Sequence, residues 1–198
     1  SIQHVTCFGG NNGSISISAT GGVAPYDYNW SNGATGTTIT GLTAGNYLVT
    51  VSDANDCAVV EGYTINQPGA IAITIAQTSP NVCFGDATAD LTATVAGGVA
   101  PYSALWSDGT VGLINSDLAA GTYTITVTDA STCTSSQSFT VTQPPQLTLS
   151  VTTTDETASG ANDGTATANV GGGTPGYTYV WSNGSTTTTI TGLAPGTY

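Results

Sequence analysis

The stretch GGVAPYSALWSDG, from Gly97 to Gly109, decides the fold, because the chain carries it three times. GGVAPYDYNWSNG begins at Gly21 and GGGTPGYTYVWSNG at Gly171, which sets Trp30, Trp106 and Trp181 at spacings of 76 and 75 residues. Downstream, GLTAGNY from Gly41, DLAAGTY from Asp117 and GLAPGTY from Gly192 follow in the same order. NQP ending at Pro68 is matched by TQP ending at Pro144, again 76 residues on. A period near 75 exceeds that of common solenoid repeats and suits a small domain with its own core. The expected layout is three modules: 1–68, lacking its opening strand; 69–144, complete; and 145–198, truncated late. A longer parent polypeptide accounts for the two incomplete modules. Strand addition from a neighbouring chain is the alternative.

Alternation with period two runs through every module. It is seen in Ile15-Ile17-Ala19, Tyr26-Tyr28-Trp30, Ile71-Ile73-Ile75, Leu91-Ala93-Val95, Tyr123-Ile125-Val127 and Leu147-Leu149-Val151. The positions between are mostly Thr, Ser, Asp and Asn, so each strand has one buried and one wet face, as in antiparallel sheets. No segment sustains a 3.6-residue period. Asn32-Gly33, Asp108-Gly109 and Asn183-Gly184 follow each Trp strand and favour tight hairpins. The fold class is therefore all-β: a tandem array of small immunoglobulin-like β-sandwich modules. Trp30, Trp106 and Trp181 are expected core aromatics. Tyr47, Tyr123 and Tyr198 join them, at the place of the tyrosine corner of immunoglobulin-like sandwiches or as plain packing.

Charge excludes several functions. The 198 residues hold no Lys or Arg, 12 Asp plus Glu and one His, for a formal net charge of −12. Phosphate neutralisation needs cations, so no nucleic-acid surface is expected, and no polybasic membrane anchor. No apolar run approaches the roughly 20 residues of a membrane helix, so direct membrane insertion is not expected either. His4 lies outside the repeated blocks, so a Ser-His-Asp or Cys-His site cannot be built in each module, and no enzyme is expected. No cofactor is expected, except that Asp53, Asn55 and Asp56 cluster in one loop as hard oxygen ligands that Ca²⁺ would accept. Solvated turn acids are the plainer reading of that loop.

Cys7 and Cys57 lie 50 residues apart, as do Cys83 and Cys133. The duplicated spacing favours one bridge per module, Cys7–Cys57 and Cys83–Cys133. A disulfide implies an oxidising compartment, hence a surface or secreted protein. Free buried thiols and metal binding are the alternatives. One conflict stands: in a standard sandwich the loop after the first strand and the loop before the last lie at opposite ends, and each expected pair occupies those two loops.

The order Cys, Gly-rich turn, GG-x-x-PY, Trp, Gly, GLxAGxYxVxVxD, Cys and a strand ending in QP resembles the SprB repeat of very large cell-surface adhesins in gliding Bacteroidota. Gly21-Gly22, Pro25-Tyr26, Trp30, Leu42, Gly45, Tyr47, Asp53 and Cys57 carry the resemblance, with counterparts at Gly97-Gly98, Pro101-Tyr102, Trp106, Leu118, Gly121, Tyr123, Asp129 and Cys133. Asp56 and Thr132 stand where that family usually has Gly before the second Cys. The resemblance implies secretion, display at the cell surface and a stalk or filament role in attachment or gliding. Neighbouring modules, lateral copies in a filament and surface polysaccharide are the implied partners. An array of glycan-binding modules accessory to a secreted protein is the alternative function.

Overall fold

The computed structural model describes residues 1–198 and contains only strands, turns and loops. The first repeat holds β1 (Ile2–Gln3), β2 (Gly13–Ser16), β3 (Asp27–Trp30), β4 (Thr38–Leu42), β5 (Gly45–Ser52) and β6 (Ala58–Ile65). They form two antiparallel three-stranded sheets, ordered β1-β2-β4 and β3-β5-β6. This is the strand order of an immunoglobulin-like sandwich without the fourth strand of its first sheet. The second repeat reproduces it. Its strands are β7 (Ala72–Ser79), β8 (Ala87–Ala96), β9 (Ser103–Trp106), β10 (Ile114–Ala119), β11 (Gly121–Thr128) and β12 (Thr134–Val141), and its sheets are β10-β8-β7 and β12-β11-β9. The first repeat thus opens on a two-residue strand where the second opens on eight. The third repeat forms one sheet of β13 (Thr148–Thr154), β14 (Gly164–Gly171) and β15 (Thr189–Leu193).

Alternation places the core. In the first repeat Ile15, Ile39 and Leu42 of one sheet pack with Trp30, Val49 and Ile65 of the other, and Val5 closes the cluster. Trp30 also tilts against Tyr63, with ring centroids 6.0 Å apart. Its indole N–H donates to the Gly36 carbonyl at 2.9 Å, so the ring is buried without an orphaned donor. Trp106 does the same to Gly112 at 3.0 Å and is buried; Trp181 donates to Thr187 at 2.8 Å but is half-buried. Burying a Trp of about 200 Å² is worth about 5 kcal/mol at 25 cal/mol per Å², a large share for so small a core. In the second repeat Leu91, Trp106, Leu118, Ile125, Val127 and Val141 are all buried. In the third repeat Leu147, Leu149 and Val151 are exposed.

Two compact units divide the chain. One comprises Ser1–Ile75, Ala93–Leu113 and Thr124–Ser138, the other Ala76–Thr92, Ile114–Tyr123 and Phe139–Tyr198. The division runs through the second repeat. Each unit consequently contains one linker between successive repeats: the first around Pro68, the second around Pro144.

Candidate functional site at the repeat junction

The first junction is built from a linker and three repeated loops. The β1–β2 loop of the first repeat carries Cys7 to Gly10. The linker Gln67–Ile71 follows β6. The second repeat contributes Gly97-Gly98 and the β11–β12 turn from Asp129 to Cys133. Gln67 folds back, and its side-chain oxygen accepts from the Gly9 N–H at 2.8 Å. Gln143 repeats this with Gly85 at 2.8 Å in the second junction. The Gly98 N–H donates to the Gly69 carbonyl at 2.8 Å, and Gly173 does the same to Pro145 at 2.8 Å.

The glycine pair is dictated by these approaches. Gly97 has φ +75°, and a Cβ there would lie 1.9 Å from the Ala70 carbonyl oxygen. Gly172 meets Gln146 at the same 1.9 Å. The second glycine faces the turn acid instead: a Cβ on Gly98 would lie 2.9 Å from an Asp129 carboxylate oxygen, and one on Gly22 2.8 Å from Asp53. The Tyr that follows each glycine pair, in GG-x-x-PY twice and in GGTPGY at residues 172–177, locks the loop. Tyr26, Tyr102 and Tyr177, all half-buried, donate their hydroxyls to the carbonyls of Gly21, Gly97 and Gly172.

Of the residues that the sequence nominated for calcium, Asp53 has both carboxylate oxygens bound by backbone N–H groups. One Asp53 carboxylate oxygen accepts from Asn55 N at 2.9 Å and Cys57 N at 3.0 Å; the other accepts from Val23 N at 3.0 Å. These bonds, from Val23 first, hold its carboxyl below the ordinary carboxylate value. Asp129 makes the equivalent bonds to Val99, Ser131 and Cys133. Burial pushes its carboxyl up, but the three N–H groups together outweigh that, and the net shift is downward. Asp56 sits in the same turn at φ 60°, and no three His, Cys, Asp or Glu side chains come close enough to share a metal ion. The Asp53 arrangement is an anion cap that fixes the turn. His4 is also structural, its Nδ1 accepting from Asn66 N at 3.1 Å.

The expected tyrosine-corner residues bond back to the chain four residues upstream: Tyr47 to the Thr43 carbonyl at 3.0 Å, Tyr123 to Ala119 at 3.1 Å and Tyr198 to Ala194 at 3.0 Å. Tyr47 and Tyr123 are half-buried, while Tyr198 is exposed.

The disulfide corrects the sequence reading. Cys7 pairs with Cys133, across the junction, with Cα atoms 5.7 Å apart. Cys57 and Cys83 are exposed free thiols. The pairs Cys7–Cys57 and Cys83–Cys133 do not form, and the reason is geometric. Asp53 and Ala54 bind Val23, so Cys57 lies at the β2–β3 end of its sandwich. Cys7 lies beside Asn66 and Gln67, at the far end of β6. The eight residues of β6 separate the two ends by about 26 Å at the usual strand rise. A disulfide tolerates a Cα separation of only about 7 Å. The C-terminal end of one repeat, by contrast, meets the N-terminal end of the next. Equal spacing within each repeat concealed this, because Cys7–Cys133 is the 50-residue spacing plus one full period. The glutamines were missed as site residues for a related reason. QP reads as a linker, and only its recurrence beside the glycine-rich Cys loop hinted at more.

Strand order and repetition define the class: an all-β protein of tandem immunoglobulin-like repeats, joined at built junctions. The SprB repeat family model matches residues 1–35, 75–111 and 150–186, and the chain belongs to that family. SprB repeats occur in surface-exposed bacterial proteins, and the chain fits a cell-surface repeat protein. A search of curated proteins gives no match. Among solved structures, the chain is similar to three N-terminal domains of the highly immunogenic outer capsid protein (Hoc) of bacteriophage RB49. Identity is 18%, coverage is 87% of this chain and 68% of that one, and the TM-score is 0.47. It is similar to the amphioxus IgVJ-C2 molecule at 17% identity, covering 67% of this chain and 97% of that one, with TM-score 0.33. It is also similar to a complex of Dpr2 Ig1-Ig2 with DIP-Theta Ig1-Ig3 at 11% identity, covering 73% and 67%, with TM-score 0.27. The fold assignment rests on the chain's own strand order.

Proposed function

We propose that the chain is a load-bearing stalk segment of a large secreted bacterial cell-surface adhesin, acting outside the cell in attachment or gliding. Its working units are the sequence repeats 1–68, 69–144 and 145–198, with neighbouring repeats and lateral copies as partners. The supporting observation is the Cys7–Cys133 bridge, which ties the first-loop cysteine of one repeat to the turn cysteine of the next. A glycan platform needs exposed aromatic faces, whereas Trp30 and Trp106 are spent on the core. A bridge across a junction instead serves tension: force entering at Cys7 leaves at Cys133 without passing through the chain between them.

Single-molecule extension of the chain, held at Ser1 and Tyr198, tests this. The bridge hides a loop of 126 residues. Reduction therefore adds roughly 43 nm of extensible chain, at about 3.4 Å per residue. Bridges within repeats would instead release roughly 17 nm each by the same conversion, and that step size would refute the reading.

A further inference from the structure

We propose that Cys57 and Cys83 are each one half of the same inter-repeat bridge. Cys57 takes the first-loop cysteine of a repeat on its N-terminal side. Cys83 takes the turn cysteine of a repeat on its C-terminal side, in the same polypeptide. The inference deepens the stalk reading and rests on it.

The equivalence is structural as well as sequential. Cys57 is held as Cys133 is: its N–H donates to the Asp53 carboxylate at 3.0 Å, as that of Cys133 does to Asp129 at 2.9 Å. Asp56 and Thr132, just before them, share a left-handed backbone at φ 60° and 66°. Cys83 is held as Cys7 is. Its carbonyl accepts from Asp86 N at 3.3 Å, where that of Cys7 accepts from Gly10 N at 3.0 Å. The loop after each is clasped by a linker glutamine at 2.8 Å. A second observation supports the case. Beside Cys83 the linker and glycine contacts of the second junction are in place, with Gly173 bound to Pro145 as Gly98 is to Gly69 and Gln143 bound to Gly85 as Gln67 is to Gly9. Cys83 therefore stands beside these contacts with its thiol exposed, in the place where Cys7 is bonded.

Closure needs an oxidant, which we assign to a disulfide-carrying dithiol protein of the secretory route. One cysteine thiolate attacks the carrier disulfide, forming a mixed disulfide and releasing one carrier thiol. The partner thiolate then attacks the protein sulfur, forming the bridge and releasing the second. Two protein thiols are oxidised and one carrier disulfide is reduced to a dithiol.

The consequence is mechanical. Successive bridges overlap, because Cys83 precedes Cys133 in the chain. An array with every bridge in place carries load along two parallel covalent paths. Each path runs from bridge to bridge through 26 residues, as from Cys57 to Cys83, for every two repeats. Fully extended, those residues span roughly 9 nm, against roughly 52 nm for two repeats without bridges. The third repeat has Thr157, Ala158 and Ser159 where the first-loop cysteine would fall, so one bridge is missing from the ladder there.

Disulfide mapping of the native surface protein decides it. Thiols are blocked with N-ethylmaleimide before extraction, and the protein is cut with pepsin, since trypsin has no Lys or Arg to use. The expected result is Cys57 and Cys83 peptides, each linked to a peptide of another repeat and neither alkylated. Alkylated Cys57 and Cys83 beside an intact Cys7–Cys133 peptide would overturn this inference and leave the stalk reading standing. Loss of the Cys7–Cys133 peptide itself, or a Cys7–Cys57 peptide, would overturn both.

Discussion

Thr132 stands at φ 66°, a region that costs a residue with a Cβ roughly 1–2 kcal/mol and suits a β-branched one least. Asp56 occupies the same position at φ 60° in the first repeat, and Asp tolerates it better. Glycine is the residue that this backbone would favour at both positions. Both residues close a turn whose next member is the second cysteine of the repeat, so at Thr132 the strain sits beside the bridge. Thr132→Gly should raise the unfolding free energy by about 1 kcal/mol, after allowing for the greater freedom of Gly in the unfolded chain. Asp56→Gly should gain less. Urea unfolding of the two variants measures the difference, and equal effects would show that the backbone conformation is not the source.

The elements were legible to different degrees. Strands with unbroken alternation, such as β5, β8 and β11, follow from period two alone. β4, β10 and β15 do not, because each contains a residue with positive φ, at Gly41, Asp117 and Gly192, and a register shift in its pairing with β2, β8 or β14. The bulge places the buried residues three apart, Ile39 then Leu42, so a two-residue period passes over them. The turn acids were visible in the sequence, but their backbone partners were not: an Asn- and Asp-rich loop reads equally as a turn or as a set of oxygen ligands until the N–H groups around Asp53 are placed. Their titration follows from that geometry. Asp53 and Asp129 have folded values below the ordinary one, and so has Asp163, which accepts from the Thr157 hydroxyl at 2.6 Å and the Thr157 N–H at 2.8 Å. Their contribution is therefore complete above about pH 4, the unfolded value, and is lost as pH falls through the lower folded values. The melting temperature should drop over that acid window. Asp129→Asn should melt lower at neutral pH and show a shallower acid decline. A variant that keeps the full decline would assign it to other carboxylates.

At the scale of the whole molecule, two similar-looking arrangements of four cysteines have opposite mechanical meanings. Bridges within repeats would make separate beads on an extensible string; a bridge across the junction makes neighbouring repeats one covalent unit. Compactness agrees with the second arrangement, since each compact unit contains a linker between repeats and the division runs through the second repeat. The linker is not a free tether either, with Gln67, Gly69 and Ala70 all held or closely packed. Closing 126 residues lowers the entropy of the unfolded chain by an amount worth about 5 kcal/mol in the loop-entropy model. Cys7→Ser should therefore lower the melting temperature of this chain substantially, and dithiothreitol should reproduce the loss in the unmodified chain while leaving the variant unchanged. Cys57→Ser and Cys83→Ser, whose thiols are exposed and unbonded, should melt as the unmodified chain does. A loss in Cys57→Ser that matched the loss in Cys7→Ser would instead point to bonding within the repeat, which would require the β5–β6 turn and the β1–β2 loop to meet across the full length of β6.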